Sequence, residues 1–179
     1  RQGKGGRTFL ASPLTAADRI VLALLAFFVA VGLTLELYWV LYNHELVARA
    51  DHELPARLFK IYGEADRGYY DRISPTAVGL EQINVFVTQL VNLWLIGAVA
   101  RRAWYRHLLQ LVVGTYLSYS VVLYFWSAHA CGYPDMRAPS AYAYFLFYAP
   151  NLPWLLGYGF LAVQSARALA RRLRAGDPA

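Results

Sequence analysis

Cysteine and charged residues are both scarce in this sequence. Cys131 is the only cysteine among the 179 residues, which excludes an internal disulfide framework and a zinc site built from cysteines. Charged residues make up 16% of the chain, against roughly 25% in an average soluble domain. The basic residues stand mainly at the edges of apolar segments rather than in a patch, so we do not expect nucleic-acid binding.

The sequence motifs of several large enzyme classes are missing too. There is no HExxH pattern for zinc and no GxSxG turn for a serine nucleophile. The early glycines Gly3, Gly5 and Gly6 follow no predicted strand, so they do not form a phosphate-binding loop. We expect neither a metal nor a cofactor.

Apolar residues, in contrast, are abundant and grouped into long segments. They make up 58% of the chain. Four segments reach the roughly 20 residues that a helix needs to cross a bilayer, at about 20–42, 78–100, 108–127 and 142–163. The sequence therefore predicts an all-α integral membrane protein, a four-helix bundle. Thr15 or Asp18 is expected to cap the first helix.

Loop charges predict how this bundle faces the membrane. With four spans, the N-terminal segment, the loop around Arg101–Arg106 and the C-terminal segment share one side, and they hold 11 of the 17 basic residues. The positive-inside rule then places both termini in the cytoplasm, with loop 43–77 on the other side. The membrane is expected to be a bacterial inner membrane or the endoplasmic reticulum.

Two acidic residues lie inside the predicted spans. Charged side chains are costly there and usually functional. Glu36 lies six residues before the end of the first span and Glu81 three residues into the second, so their depths differ by about 5 Å or less. Two carboxyl groups in an apolar site disfavour each other's charge, so one can act as an acid and the other as a base. The alternative is that each carboxylate only joins helices through hydrogen bonds.

Polar residues continue from Glu81 along one face of the second span. Asn84, Thr88 and Asn92 follow at steps of three and four residues, and such a face is expected to point into the bundle rather than to lipid. Hydrogen bonding between helices and a polar wall of a ligand cavity both remain open as explanations. In the third span Tyr119 is a weaker candidate for substrate contact.

The fourth span carries aromatic residues around a predicted kink. Tyr148, Asn151 and Trp154 share a face, and Pro150 and Pro153 flank the asparagine. Aromatic faces attract cations, so an acid beside such a face suits chemistry that passes through a carbocation. An aromatic core without ligand is the alternative.

The sequence resembles the EXPERA-domain family, which includes the emopamil-binding protein, a sterol Δ8-Δ7 isomerase, and the sigma-2 receptor. The segments that carry the resemblance are the following: Glu36-Leu-Tyr-Trp-Val-Leu-Tyr42, Tyr62-Gly-Glu-Ala-Asp66-Arg67-Gly-Tyr69, Gly79-Leu-Glu81, Leu109-Gln-Leu-Val-Val113, Val122-Leu-Tyr-Phe125 and Phe147-Tyr148 with Asn151-Leu-Pro-Trp154. The resemblance implies an EXPERA-like transmembrane domain over 19–175, between an N-terminal tail (1–18) and a C-terminal tail (176–179), with a lipid-accessible cavity.

The resemblance also implies roles for individual residues. Glu36 and Glu81 match the family's intramembrane acids, which face the ligand and hold cationic amines. Asn151 and Trp154 match the cavity asparagine and the tryptophan that faces a cationic intermediate. Asp66 matches a loop acid, which we interpret as structural. The sterol isomerases of the family carry a histidine one turn before the first acid, where this sequence has Gly32.

Three functions remain open at this point. The first is an isomerase that shifts a double bond in a sterol or isoprenoid, with Glu81 favoured as the proton donor because it heads the polar face. The second is a terpenoid cyclase that uses the same acid and aromatic cavity. The third is a non-catalytic protein that binds sterols or cationic amines. The expected partners are the bilayer, the lipid substrate and cationic amphiphilic amines as inhibitors, and a homodimer is left open.

Overall fold

The computed structural model describes residues 14–176, and every regular element in this range is helical. The six helices are α1 (Ala16–Arg49), α2 (Leu54–Tyr62), α3 (Pro75–Ala100), α4 (Arg106–Ala130), α5 (Ala141–Tyr148) and α6 (Leu152–Ala175). The all-α prediction is confirmed for this part of the chain. Residues 1–13 of the predicted N-terminal tail and residues 177–179 of the C-terminal tail lie outside the described residues.

Three of these helices, α1, α3 and α4, are long and apolar enough to cross a membrane. They correspond to the first three predicted spans. The fourth apolar segment is divided into α5 and α6 by a turn at Ala149–Asn151. Pro150 lacks the backbone N–H that would continue α5, whereas Pro153 stands in the first turn of α6, where no N–H is required. The two prolines thus end one helix and start the next.

Helix α1 begins with a reciprocal cap. The backbone N–H of Asp18 donates to the Thr15 hydroxyl oxygen at 3.1 Å, and the N–H of Thr15 donates to the Asp18 carboxylate at 3.2 Å. Asp18 also pairs with Arg106 at the start of α4, at 3.5 Å. Both predicted residues therefore take part at the N-terminus of α1, and Asp18 also links α1 to α4.

Two wide, π-helical turns interrupt the long helices at facing positions. One covers Gly32–Glu36 in α1 and the other covers Asn84–Thr88 in α3, and the two turns are in contact. Such turns insert one extra residue into an α-helix and are frequent at functional sites. Glu36 ends the first turn and Glu81 lies just before the second.

Helices α4 and α6 pack closely along their length. A Cβ atom on Gly114 would lie 2.6 Å from the carbonyl oxygen of Tyr158 and 2.7 Å from the backbone nitrogen of Ala162. Only glycine allows this approach of two backbones. The buried apolar core beside it includes Phe28, Leu95 and Leu161.

The connections between α1 and α3 and between α4 and α5 pack together at one end of the bundle. We call this region the cap, formed by residues 50–74 and 131–140. The Arg67 N–H donates to the Asp135 carbonyl at 2.9 Å, and Arg137 pairs with Asp71 at 2.9 Å. The Trp39 indole of α1 donates to the Tyr69 carbonyl at 2.8 Å, which fixes the cap on the helices.

Candidate active site

Glu36 and Glu81 meet at one cavity in the middle of the helices. Both side chains line the same internal space, and their carboxyl groups are close enough to interact electrostatically. The facing π-helical turns of α1 and α3 bring them there. The sequence reasoning placed the two acids at similar depth, and the structure brings them together.

The space around the two acids has a polar part, which we call the inner chamber. It holds about 70 Å³ and is bounded by α1, α3, α4, α6 and the cap. Its polar lining comprises acid, amide and hydroxyl side chains: Glu36, Glu81, Asn84, Thr88, Gln89 and Asn151, with Tyr69, Ser120, Tyr124 and Tyr158. Polar groups are thus concentrated where the acids lie.

An apolar space opens from the same point towards the side of the bundle, and we call it the lateral cavity. It holds about 340 Å³, within the range of ligand sites, and its walls are mainly aliphatic and aromatic. Its rim includes Phe27, Leu58 and Ile61, which are between 42% and 46% exposed on the apolar exterior. Glu36, Glu81, Tyr69, Asn151 and Trp154 line both spaces and form the junction between them.

The two acids differ in their hydrogen bonds. The Tyr69 hydroxyl donates to Glu81 Oε1 at 3.0 Å. The second oxygen, Oε2, is buried without a partner among the described residues in both acids, so the difference between them is the Tyr69 donor at Glu81 Oε1. Donated hydrogen bonds stabilise a carboxylate, whereas a buried carboxyl group without donors is better accommodated as the neutral acid. The site therefore holds two carboxyl groups in unequal environments.

A stack of aromatic rings forms one wall of the junction. Trp154 stacks on Phe28 with ring centroids 4.7 Å apart, and Phe28 stacks on Tyr158 at 4.2 Å. Tyr158 is held in turn by the Asn92 amide, which donates to its hydroxyl at 2.8 Å. The stack fixes the Trp154 ring beside the acids, where its face can stabilise positive charge.

Asn151 lies in the turn between α5 and α6. Its amide nitrogen donates to the Phe147 carbonyl at 2.8 Å and to the Tyr62 hydroxyl at 3.1 Å. The first of these bonds satisfies the Phe147 carbonyl near the end of α5. The same side chain lines both spaces.

Asp66 lies in the cap and not at the junction. Its Oδ1 accepts the Gly68 N–H at 2.8 Å, and its Oδ2 accepts the Tyr124 hydroxyl proton. Burial raises the pKa of Asp66 above its ordinary value, although both hydrogen bonds oppose this shift. The carboxylate starts the turn at Arg67–Tyr69.

Comparison with known proteins agrees with this architecture. The sequence profile of EBP, described as EXPERA (EXPanded EBP superfamily), matches residues 54–165, well over half of the chain. The chain belongs to the EXPERA family. Two relatives, from Rattus norvegicus and Mus musculus, are both named 3-beta-hydroxysteroid-Delta(8),Delta(7)-isomerase. They are 28% and 29% identical to this EXPERA chain over 159 residues, which cover 88% of it and 67% of each relative.

Two of the predicted substrate contacts lie elsewhere in this EXPERA protein. Tyr119 is 63% exposed and lies outside both spaces, because α4 turns Leu117, Ser120 and Tyr124 inward and position 119 points away from them. Tyr148 bonds to the Tyr133 hydroxyl at 2.6 Å, beside the cap. In contrast, Asn84, Thr88, Asn151 and Trp154 all line the inner chamber.

Sequence reasoning missed several residues of the EXPERA site. Tyr62, Tyr69 and Tyr124 bring their hydroxyl groups to its edge, and Gln89 lies against Gly32. The available signal was the spacing of two tyrosines around Asp66 in the cap segment. That segment was interpreted as a loop outside the membrane core, so its side chains were not placed in the site.

Proposed function

We propose that this protein is a membrane isomerase that moves a carbon–carbon double bond in a sterol or a related isoprenoid. The observation that carries the proposal is the pair Glu36 and Glu81 at the junction of an apolar lateral cavity and a polar inner chamber. The names of the two relatives support the same reaction class. The lateral cavity suits a substrate that enters sideways from the bilayer.

The reaction needs one acid and one base. A carboxylic acid gives its proton to one alkene carbon, so a C–H bond forms and the other carbon becomes a cation. A carboxylate then takes a proton from a neighbouring carbon, and those electrons form the new double bond. The proton finally returns from the base to the acid, so the protein ends each cycle unchanged.

We assign these roles to the two residues from their hydrogen bonds. Glu36, which lacks a donor equivalent to the one that Tyr69 supplies to Glu81, serves as the acid. Glu81, which accepts from Tyr69, serves as the carboxylate base. This assignment reverses the expectation from sequence, which favoured Glu81 as the donor because of its place at the head of the polar face.

The surroundings favour a short-lived cation. The Trp154 ring lies at the junction, and cation–π attraction stabilises positive charge there. The apolar walls keep water away from the intermediate, which prevents its capture as an alcohol. The same features explain the expectation that cationic amphiphilic amines bind here as inhibitors.

We also propose four crossings, with α5 and α6 together as the fourth. The pair Asp18–Arg106 and the contact of His107 with Ser165 at 3.4 Å support one common end for the start of α1, the start of α4 and the later part of α6. The arginine-rich segments lie at that end, so the positive-inside rule favours a cytoplasmic location for it.

The proposal is tested by a substrate panel. Purified protein in detergent receives a Δ8-sterol or a polyprenyl epoxide, and mass spectrometry follows the products of wild type, Glu36→Gln, Glu81→Gln and the control Glu64→Gln. Glu64 is a matched control because its carboxylate lies in the cap and pairs with Arg137. We expect that only wild type and the Glu64→Gln control convert the sterol to one with a shifted double bond. A cyclised product would show that the protein is a cyclase and not an isomerase. Binding without conversion would favour the non-catalytic ligand-binding function.

A further inference from the structure

A chain of hydrogen bonds runs from the cap to the active site. The Tyr124 hydroxyl bonds to the Asp66 carboxylate, and it lies 2.9 Å from the Tyr62 hydroxyl. The Asn151 amide nitrogen lies 3.1 Å from the same Tyr62 oxygen. Four side chains are thus joined in one line, two from the cap and one each from α4 and the α5–α6 turn.

The carboxylate at one end sets the direction of every proton in this line. A carboxylate only accepts, so Tyr124 donates to Asp66. The oxygen of Tyr124 then accepts from the Tyr62 hydroxyl, which uses the single proton of Tyr62. The oxygen of Tyr62 is therefore left to accept from the Asn151 amide.

This direction fixes which end of the Asn151 amide faces the active site. Both of its N–H groups are used, one by Tyr62 and one by the Phe147 carbonyl. The remaining polar atom is the carbonyl oxygen Oδ1. Because Asn151 lines the junction beside Trp154, this oxygen presents the negative end of the amide dipole there.

We propose that Asp66 is a positioning residue for the cationic centre: through Tyr124 and Tyr62 it holds the Asn151 carbonyl oxygen towards positive charge in the cavity. This inference rests on the proposed function for its effect on turnover, but its effect on cation binding does not depend on turnover. Asp66 itself touches no substrate.

The substitution Asp66→Asn separates this role from the role of Asp66 in the turn. The new amide keeps an oxygen that accepts the Gly68 N–H, so the turn at Arg67–Tyr69 is preserved. It presents an N–H group to Tyr124 in place of the second oxygen, which reverses each donor along the line. Tyr62 then donates to Asn151, whose amide must turn its nitrogen towards the cavity.

The experiment compares two ligands of similar shape, a sterol with a tertiary ammonium nitrogen in its ring system and its neutral parent sterol. Binding is measured by calorimetry in detergent for wild type, Asp66→Asn, Tyr124→Phe and the double variant. We expect each single variant to bind the ammonium sterol about tenfold more weakly, which corresponds to about 1.4 kcal/mol. Neutral sterol binding should not change, and the double variant should lose no more than either single variant.

A matched control is available beside the line. Tyr133→Phe removes one hydroxyl from the hydrogen-bonded pair Tyr133–Tyr148. This pair is a tyrosine–tyrosine hydrogen bond like Tyr62–Tyr124, but its hydroxyl groups do not bond to the Asn151 side chain. It should leave the preference for the charged ligand intact. Should Asp66→Asn not fold, Tyr62→Phe carries the test, because it breaks the line and leaves the Asp66 turn untouched.

Two results would overturn the inference. One is an equal loss of affinity for the charged and neutral sterols, which a purely structural role predicts. The other is an additive loss in the double variant, since Asp66 would then act independently of Tyr124. If wild type binds the ammonium sterol with the predicted dependence on Asp66 but converts no sterol, the proposed function fails and this inference stands.

Discussion

Gln89 of α3 fills the space that a side chain on Gly32 of α1 would need. The Gln89 Cδ atom lies 2.6 Å from the position of a Cβ on Gly32. Both residues are buried, and each belongs to or adjoins one of the facing π-helical turns. The sterol isomerases of the family carry a histidine at the position of Gly32. Here the Gln89 amide occupies the space beside that position, and the two acids lie next to this contact.

Gly32→Ala is expected to destabilise the protein by about 1–3 kcal/mol, because the added methyl group overlaps Gln89. The measurement is thermal unfolding in detergent. Gly32→Ala should cost much less stability in the Gln89→Ala background than in wild type, since the obstructing side chain is then absent. Gly79→Ala is the control, because a Cβ there meets nothing within 4 Å. Equal losses in the two glycine variants would refute the contact.

The two acids are expected to differ in their contribution to cation binding. Glu81→Gln should weaken binding of an ammonium sterol at least tenfold, because it removes the carboxylate that Tyr69 stabilises. Glu36→Gln should change this affinity less than about threefold, since a neutral acid is replaced by a neutral amide. Both variants should lose at least about a hundredfold in kcat. A larger affinity loss for Glu36→Gln would reverse the assigned roles.

The lateral cavity is expected to be the route of the substrate. Leu35 lines it, whereas Leu33 of the same helix is 42% exposed and lies outside it. Leu35→Trp should narrow the cavity and raise KM for a sterol several-fold. Leu33→Trp adds the same ring to the exterior and should leave KM unchanged. Steady-state kinetics in lipid nanodiscs measures both, and similar KM values for the two variants would argue for another route.

The cap is expected to lose stability in acid through Asp71. Arg67, bonded to this carboxylate at 2.9 Å, holds the pKa of Asp71 below its ordinary value, and Arg137 adds to the effect. Because the pKa is lower in the folded state, the stabilisation is present above about pH 4 and is lost as the pH falls through the folded value. Asp71→Asn should therefore flatten the fall in unfolding temperature below about pH 4. If the unfolding temperature of Asp71→Asn falls in acid as steeply as that of wild type, Asp71 does not contribute to the loss of stability.

Much of the helical arrangement was predictable from the sequence. Long apolar segments and loop charges are signals that the bilayer itself imposes, so α1, α3 and α4 lie where hydropathy predicts them. The division of the fourth segment into α5 and α6 follows from Pro150 and Pro153, which predicted a kink but not a complete break. The π-helical turns have no comparable signal, because one extra residue in a turn depends on packing between helices.

From the sequence, the site was predictable only at residues whose placement in an apolar helix is energetically costly. Glu36 and Glu81 stand out since a carboxyl group in an apolar helix is expensive. Tyr62 and Tyr69 give no comparable signal in the sequence, because tyrosine is common at membrane edges. The fold of the cap determines where their hydroxyl groups point. Tyr119 shows the reverse case, in which residue type suggested a contact and the rotation of α4 determined otherwise.

The central claim is that a carboxylic acid of the protein protonates the substrate double bond. The most direct measurement uses protein equilibrated in D2O and in molar excess over a Δ8-sterol, with mass spectrometry and NMR of the product. We expect a shifted double bond with one deuterium on a former alkene carbon, and no such product from Glu36→Gln. A shifted double bond without deuterium, or no conversion by folded protein that binds the ammonium sterol, would contradict it.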